Sequence, residues 1–204
     1  MTYWAVVPVK PLRRGKSRLA GVLTEDEREA LNRWMLEHIL VTIKENQQIG
    51  QTLVISRDTA ALSLARSVGA KTLHEDGSSH LNLALERATA VVNSFKATGM
   101  LILPADLPKI TSGDIQHLID HAVETPSVAI APDHRKEGTN ALFIKPPGLV
   151  KYSFGEGSFE RHVEQLEADG IPYHTCEIAS LAHDVDLPED LEFLDESPEL
   201  WATT

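Results

Sequence analysis

Short apolar segments alternate with amphipathic segments along most of the chain, and this alternation constrains the fold more than any other feature. The segment 99–103 is apolar throughout, which is typical of a strand covered by helices on both faces. In the segment 25–46, a ridge of apolar side chains from Leu31 to Ile43 recurs every four positions and predicts a helix packed on a sheet. The alternation predicts an α/β fold: a doubly wound, three-layer sandwich around a mostly parallel mixed sheet.

The boundaries of the predicted elements carry signals of their own. Thr24 and Glu27 form a capping-box pattern at the start of the first long helix, and Asp58 can cap the second helix. A third helix is expected to start at 78–79, and the segment 197–204 to form a loose tail. The predicted strands are 4–9, 51–56, 71–73, 99–103, 127–131, 141–144 and 173–178, and further helices are predicted at 112–123, after Ser158 and from Glu189.

The size and charge of the chain exclude several classes of protein. Its 204 residues show no internal repeat or long linker, which predicts a single domain over 1–204. With 19 Lys and Arg against 30 Asp and Glu, the net charge of -11 argues against nucleic acid or an anionic membrane as a partner. The single cysteine, Cys176, excludes an intrachain disulfide and suits the cytoplasm, where we expect the protein, since no signal peptide or membrane span is recognisable.

A basic loop follows the first predicted strand. Four cations, Lys10, Arg13, Arg14 and Lys16, lie within seven positions around Gly15. Nucleotide-binding α/β folds hold phosphate groups at the carboxyl ends of their strands, where such a loop can contact them. The alternative is a solvated surface loop, but this cluster stands out on an acidic chain and directly follows the first strand. We therefore interpret it as a candidate phosphate-binding loop.

Three aspartates are candidates for the same edge of the sheet. Asp106 follows the fourth predicted strand within the segment PADLP, although it could instead cap nearby amides. Asp184 and Asp186 lie two residues apart on an extended segment after the last predicted strand, so their side chains point the same way. Carboxylates at strand ends offer only oxygen ligands, which suit Mg²⁺. Glu189 and Asp190 are better explained as the start of the last helix.

A second candidate anion site precedes the predicted helix that contains Arg161. The segment 154–159, FGEGSF, places two glycines and Ser158 at a helix N-terminus, where amides and the helix dipole can bind an anion. The alternative is an ordinary glycine-rich turn with Ser158 as N-cap. His162 lies next to this segment and could equally be a surface histidine.

A basic loop, three carboxylates and a glycine-rich anion site form the set of charges that phosphoryl or nucleotidyl transfer needs. The chain lacks the GxxxxGK[ST] motif of P-loop NTPases and the GxGxxG motif of dinucleotide-binding dehydrogenases. Its nine histidines are scattered and none shows HExxH spacing, which argues against zinc chemistry.

Six segments in one order carry a resemblance to a known family: AVVPVKPLRRGKSRLAGVL, LNLAL, PADLP, GTNALF, FGEGSFERH and DVDLPEDL. On these segments the chain resembles the guanylyltransferases of deazaflavin coenzyme (F-420) biosynthesis, which belong to the nucleotidyltransferases of glycosyltransferase-A-like, Rossmann-type fold. The resemblance implies transfer of GMP from GTP to 2-phospho-L-lactate or phosphoenolpyruvate, release of pyrophosphate, and Mg²⁺ as cofactor. A homodimer is compatible with it.

The resemblance also implies roles for individual residues. Lys16 and Asp106 would take part in catalysis, and the segment 133–172 would form the acceptor-binding part of the domain. Glu137 departs from the family's pattern, and its carboxylate would repel an anionic acceptor unless it pointed away or met a neighbouring cation. The implied nucleotide-binding residues are Pro8, Lys10, Lys16, Asn82 and Asp106, the acceptor-binding residues are Thr139, Asn140, Gly155, Ser158 and His162, and the metal ligands are Asp106, Asp184 and Asp186.

Two alternatives stay open on the sequence. The chain could be another nucleotidyltransferase of the same fold, of molybdopterin or sugar-phosphate type, although KPLRRGKSRL replaces the GxGxRM-like opening of those families. It could also be a non-catalytic, nucleotide-binding regulatory module, against which the three aspartates argue. The acceptor and the preference for GTP over ATP are likewise left open.

Overall fold

The computed structural model describes residues 2–76 and 80–194, which form a sheet of seven strands. The strands are β1 (Tyr3–Val9), β2 (Ile49–Ser56), β3 (Lys71–His74), β4 (Gly99–Ile102), β5 (Ser127–Pro132), β6 (Thr139–Lys145) and β7 (Tyr173–Thr175). Their order across the sheet is β3-β2-β1-β4-β6-β5-β7. Strand β6 runs antiparallel to its neighbours β4 and β5, and the other four pairings are parallel. The predicted mostly parallel mixed sheet is thereby confirmed.

Helices cover both faces of this sheet. They are α1 (Glu25–Glu45), α2 (Thr59–Ser67), α3 (Leu81–Ser94), α4 (Ser112–His121), α5 (Ser158–Ala168) and α6 (Ala179–Ala182), with short 3-10 helices at Ser17–Gly21 and Pro188–Phe193. Helices α1, α2 and α4 pack on one face, and α3 and α5 pack on the other. Within the described ranges, no helix combines the length and apolar character needed to cross a membrane.

Strand β1 shows why the sheet needs two helical layers. Tyr3, Ala5 and Val7 face the core shared with α1, α2 and α4, because successive side chains of a strand point to opposite faces. Trp4 and Val6 face the core shared with α3 and α5. All five side chains are buried, so the predicted three-layer sandwich is confirmed.

Two predicted helix caps are confirmed. The Thr24 hydroxyl accepts from the Glu27 amide at 3.3 Å, and the Glu27 carboxylate accepts from the Thr24 amide at 2.7 Å, which closes the capping box of α1. The Asp58 carboxylate caps α2 by accepting from the Ala60 amide at 2.8 Å. These bonds satisfy amides that the first turn of each helix leaves without a partner.

Other boundaries differ from the prediction. The predicted strand 173–178 ends at Thr175, and the chain then turns into the four-residue helix α6. Helix α3 begins at Leu81 with His80 as its N-cap, while the predicted start at 78–79 and the predicted tail at 197–204 lie outside the described residues. The last predicted helix is a 3-10 helix.

One edge of the sheet collects the polar segments of the chain. The carboxyl ends of the six mutually parallel strands lie there, and β6 begins there because it runs in the opposite direction. This edge holds the basic loop after β1, Asp106 after β4 and the start of β6 at Thr139.

Candidate active site

Two adjoining cavities open at this edge. The first lies beneath the basic loop, between β1, β2, α1 and α3, and the second lies between the start of β6, the loop before α5 and the segment 184–190. The two cavities share five lining residues: Pro8, Leu81, Pro104, Asp106 and Asp186. A ligand in each cavity would therefore meet the other at the acidic residues.

The three predicted metal ligands are brought together. One carboxylate oxygen from each of Asp106, Asp184 and Asp186 lies within 4.8 Å of the others, and all three side chains are partly buried. The Val185 amide donates to the Asp106 carbonyl at 3.1 Å, which fastens the two segments to each other. Of the three aspartates, only Asp106 follows a strand. Asp184 and Asp186 were predicted to follow a strand, but they come after α6.

Asp190 holds the segment that contains Asp184 and Asp186 in its extended form. Its carboxylate accepts from the Asp186 amide at 2.8 Å and from the Leu187 amide at 2.6 Å. As predicted, it marks the start of the last helical turn, and it also lines the second cavity. The support that this cap gives to Asp186 leaves no local pattern in the sequence.

Lys16 is the cation at the centre of the cluster. Its Nζ donates to Asp106 Oδ2 at 2.5 Å and to Asp186 Oδ1 at 3.3 Å, and only 7% of its side chain is exposed. Burial by itself lowers the pKa of this ammonium, but the charges and hydrogen bonds of the two aspartates outweigh burial and leave the pKa raised. Lys16 is therefore protonated at neutral pH.

Asp184 is held by Asn140. The Asn140 amide donates to Asp184 Oδ1 at 3.2 Å and to the Leu181 carbonyl at 2.8 Å. Burial raises the pKa of Asp184, and the charge of Asp106 adds to this rise, while the bond from Asn140 opposes it. Asn140 lines the second cavity, and its bonds show that it positions a carboxylate; its predicted contact with the acceptor stays a prediction.

The basic loop is anchored by its backbone. The Leu12 amide donates to Asp58 Oδ2 at 2.7 Å, so the residue that caps α2 also holds the loop. The Leu12 carbonyl accepts from Asn32 Nδ2 at 2.7 Å. A Cβ at Gly15 would lie 2.7 Å from that same Nδ2, which explains the glycine.

The cations of this loop divide into two groups. Lys10 and Lys16 line the first cavity, whereas Arg13 turns away and pairs with three acids of α1 at 2.6 to 3.2 Å. Arg18, which the sequence analysis missed, lines the second cavity and donates to Asp186 Oδ2 at 3.0 Å. The sequence signal that could have identified Arg18 is its position as a fifth cation, two residues after Lys16.

Thr139, Ser158 and His162 form one hydrogen-bonded group. The Ser153 amide donates to His162 Nε2 at 3.1 Å, so in the neutral ring Nδ1 carries the proton and donates to Thr139 Oγ1 at 3.1 Å. The Ser158 hydroxyl also donates to Thr139 Oγ1, at 3.2 Å. Because Thr139 Oγ1 accepts both bonds, its own hydroxyl proton remains available to the second cavity, which Thr139 and Ser158 line.

His162 itself does not line either cavity. It is completely buried, and burial, with a smaller contribution from the charge of Arg161, lowers its pKa to about 4. The neutral ring is therefore the relevant form at physiological pH. Its burial excludes the alternative of a surface histidine, and we place His162 as a residue that positions Thr139, while its predicted contact with the acceptor stays a prediction.

Two of the amides that we expected to be free for an anion, those of Ser158 and Phe159, are bonded within the protein. The Ser158 amide donates to the Gly155 carbonyl at 3.0 Å, and the Phe159 amide donates to the Glu137 carbonyl at 3.1 Å. Helix α5 has Gly157 as its N-cap, at a φ of 67°, rather than Ser158. Gly155, with a φ of 125°, lines the second cavity, and its binding of the acceptor stays a prediction.

Asn82 also lies outside both linings. Its Oδ1 accepts from the Phe154 amide at 2.8 Å, and its Nδ2 donates to the Phe154 carbonyl at 3.3 Å. Both polar groups of the side chain thus hold the glycine-rich segment, and Leu81 and Ala84 are the residues of α3 that face the first cavity. The predicted contact with the nucleotide remains a prediction.

Glu137 lines the second cavity. Its neighbour Lys136 pairs with Glu177 at 2.6 Å rather than with Glu137. Asp133, a further lining residue absent from the sequence analysis, accepts from the amides of Glu137 and Gly138, each at 2.9 Å. The carboxylates of this rim add negative charge near the predicted acceptor site.

The histidines are less scattered in the fold than in the sequence. Ligand atoms of His117, His121 and Cys176 lie within 4.8 Å of one another, although the sequence showed no zinc motif. Burial raises the pKa of the Cys176 thiol to about 11. None of these three residues lines either cavity, so they take no part in the site described here.

The fold is that of nucleotidyltransferases. A nucleotidyl transferase from Methanothermobacter superimposes with a TM-score of 0.69 at 14% identity, covering 95% of each chain. A CMP:2-keto-3-deoxy-manno-octonic acid synthetase in complex with CTP superimposes with a TM-score of 0.65 at 16% identity, covering 95% of this chain and 97% of the other. At these identities the likeness establishes the fold.

The sequence comparisons define the family more narrowly. Residues 3–195 match the family described as Guanylyl transferase CofC like. The chain is 41% identical to phosphoenolpyruvate guanylyltransferase of Rubrobacter xylanophilus, covering 97% of this chain and 95% of the relative. It is 34% identical to 2-phospho-L-lactate guanylyltransferase of Methanothermobacter thermautotrophicus, covering 92% and 81% respectively. The chain therefore belongs to the CofC-like guanylyltransferase family, which confirms the resemblance inferred from its motifs.

Proposed function

We propose that this protein transfers the guanylyl group (GMP) of GTP to the phosphate of a three-carbon phospho-acid and releases pyrophosphate, as a step of coenzyme F-420 biosynthesis. The observation that carries the proposal is the place of the acidic cluster. Asp106 and Asp186 belong to both cavities, so they lie where a nucleotide in the first cavity would meet an acceptor in the second.

The first cavity suits GTP. Its apolar lining includes Leu12, Met35 and Ile55, which can pack against the faces of a purine ring. Lys10 and Lys16 line the same cavity, and their ammonium groups can neutralise phosphate oxygens. The cations are needed because the chain as a whole is acidic.

The second cavity suits a small acid that carries a phosphate. The Thr139 hydroxyl can donate a hydrogen bond to a carboxylate or phosphate oxygen, and the Arg18 guanidinium lies near the acidic cluster. Among the relatives, the more similar one is named for phosphoenolpyruvate and the less similar one for 2-phospho-L-lactate. We therefore infer phosphoenolpyruvate as the acceptor and 2-phospho-L-lactate as the alternative.

Magnesium fits the donor set of the acidic cluster. The three ligands offer carboxylate oxygens only, which hard divalent cations prefer, and Lys16 balances part of their charge in the structure. Asp106, Asp184 and Asp186 would hold the ion, whose chemistry when bound is to polarise phosphate oxygens and neutralise their charge.

The chain's own residues supply position and charge for the transfer. A phosphate oxygen of the acceptor, already anionic at neutral pH, attacks the α-phosphorus of GTP. The new oxygen–phosphorus bond forms as the bond to the β-phosphate breaks, and the electron pair leaves with pyrophosphate. The protonated Lys16 stabilises the charge at this centre, and no general base is required.

An assay of pyrophosphate release with a panel of acceptors tests this function. GTP and Mg²⁺ are held constant, and phosphoenolpyruvate, 2-phospho-L-lactate and 3-phosphoglycerate are offered in turn. We expect release with phosphoenolpyruvate and little without an acceptor. A folded protein that binds GTP but releases no pyrophosphate with any of them would instead support a regulatory module.

A further inference from the structure

Glu75 lines the first cavity at the carboxyl end of an edge strand, β3. It follows β3 directly, and β3 is the third strand along from β4, the strand that precedes Asp106. Three strand spacings correspond to about 14 Å across the sheet, which is the scale of a nucleoside monophosphate. A GTP whose α-phosphate lies at Asp106 would therefore bring its base close to Glu75.

The environment of Glu75 is unusual for a carboxylate. Glu75 is only 9% exposed, and it lines the first cavity together with apolar side chains and the cations Lys10, Lys16 and Arg57. Its amide donates to the Ser56 carbonyl at 3.0 Å, which fixes the backbone. A carboxylate that loses its water to a ligand without gaining a new partner is costly, so a ligand at this end of the cavity must donate hydrogen bonds to it.

Guanine has the matching pattern of donors. Its N1–H and its exocyclic N2 amino group lie side by side on one edge, and a carboxylate can accept from both at once. Adenine presents an acceptor at N1 and has no amino group at C2, so it would face the carboxylate with an unpaired lone pair. The same site would thus attract guanine and reject adenine.

We propose that Glu75 reads the Watson–Crick edge of guanine and makes the first cavity selective for GTP over ATP. This inference rests on the proposed function for the choice of nucleotide, but it is a statement about binding and does not require the transfer step. A site built to accept two hydrogen bonds discriminates strongly, because the wrong base leaves buried polar groups unpaired.

The Glu75→Gln variant tests the assignment through its nucleotide preference. A glutamine amide offers one acceptor and one donor, which matches N1–H and the C2 carbonyl of xanthine better than the two donors of guanine. Calorimetric titration without acceptor would compare GTP, ITP, XTP and ATP on both proteins. We expect wild type to bind GTP best and ITP, which lacks the amino group, roughly 10-fold more weakly. The variant should lose roughly 10-fold or more for GTP and gain affinity for XTP.

The exposed Glu37→Gln on α1 is the matched control, because it removes the same charge outside the cavity. It should leave the order of affinities unchanged. Unchanged GTP affinity in Glu75→Gln, or an equal loss for all four nucleotides without a gain for XTP, would overturn the assignment. Because binding is measured without acceptor, the nucleotide preference can be interpreted even if the protein does not transfer the guanylyl group.

Discussion

His162 acts on the second cavity through Thr139. The ring is buried and neutral, and its Nδ1–H bond to Thr139 Oγ1 depends on the Ser153 amide at Nε2. Removing the ring would free the Thr139 hydroxyl to turn, so its proton would no longer be directed at the acceptor. His162 would thereby change the affinity for the acceptor without contacting the acceptor itself.

We predict that His162→Ala raises the KM for the phospho-acid by roughly 10-fold and changes the KM for GTP little, because one oriented hydrogen bond to a charged group is lost. Initial rates measured against each substrate separately provide the check. An equal rise in both KM values would indicate general damage to the fold instead.

The same ring makes stability depend on pH. The pKa of His162 falls from 6.5 in the unfolded chain to about 4 in the folded protein, so the unfolded state binds more protons between these values. The neutral ring therefore contributes stability fully above about pH 6.5, and this contribution is lost as the pH falls towards 4. Its size is on the order of 3 kcal/mol.

Denaturant unfolding of wild type and His162→Gln, measured from pH 7.5 to pH 4.5, checks this prediction. Glutamine does not titrate, so the stability difference between the two proteins should shrink as the pH falls. A difference that stays constant over this range would contradict the assigned neutral ring.

Asp106 is the carboxylate that joins both cavities and binds Lys16. We predict that Asp106→Asn lowers kcat by well over 10-fold while the melting temperature stays near that of wild type, since a metal ligand supplies several kcal/mol of charge stabilisation. Asp169→Asn, an exposed residue at the end of α5, is the control and should keep the wild-type rate. Wild-type turnover in Asp106→Asn would remove this residue from the site.

The candidate site residues that the sequence predicts are those whose positions follow from local geometry. The three aspartates could be predicted because Asp184 and Asp186 lie two positions apart on an extended segment and Asp106 follows an apolar strand. The partners of Asn82 and His162 could not, because their bonds reach residues 72 and 23 positions away and depend on how α3, α5 and β6 pack. Long-range pairing of this kind leaves no local pattern in the sequence.

At the scale of elements, the basic loop after β1 is anchored to the rest of the fold and is not a solvated surface loop. Its buried side chains Leu12 and Leu19 attach it to the cores on either side of Lys16. Lys16 has a left-handed conformation, with a φ of 54°, at the start of a 3-10 helix. The loop can hold this conformation because Asp58 and Asn32 bind its backbone.

We predict that Gly15→Ala raises the KM for GTP by roughly 10-fold, because the added Cβ would displace Asn32 from the Leu12 carbonyl and shift the lysines. Gly21→Ala is a close control, since a Cβ there would have no atom within 4 Å. Steady-state kinetics of both variants against GTP test the difference. Equal KM values would show that the anchoring of the loop does not matter for nucleotide binding.

The elements themselves were predicted unevenly. The apolar run of β4 and the capping box of α1 were recognisable because each depends on neighbouring residues. Helix α6 was missed since four residues are too few to show a helical period, and the strand before it was predicted to run on to residue 178. The antiparallel direction of β6 depends on its pairing with β4 and β5, which periodicity does not reveal.

At the scale of the whole molecule, an acidic chain places several cations at one edge of the sheet. The net charge of -11 disfavours anionic ligands in general, whereas Lys10, Lys16 and Arg18 supply positive charge at the two cavities. These cations and the proposed Mg²⁺ would neutralise the acidic cluster between the cavities. Two phosphate groups could then be held close together there.

Phosphorus NMR of the complete reaction tests the central claim most directly. GTP, phosphoenolpyruvate and Mg²⁺ are incubated with the protein, and the phosphorus products are identified together. We predict equal amounts of pyrophosphate and of a diphosphate that links guanosine to the acid, which requires attack at the α-phosphorus. Formation of GDP with inorganic phosphate, or no new signal although both ligands bind, would contradict the account.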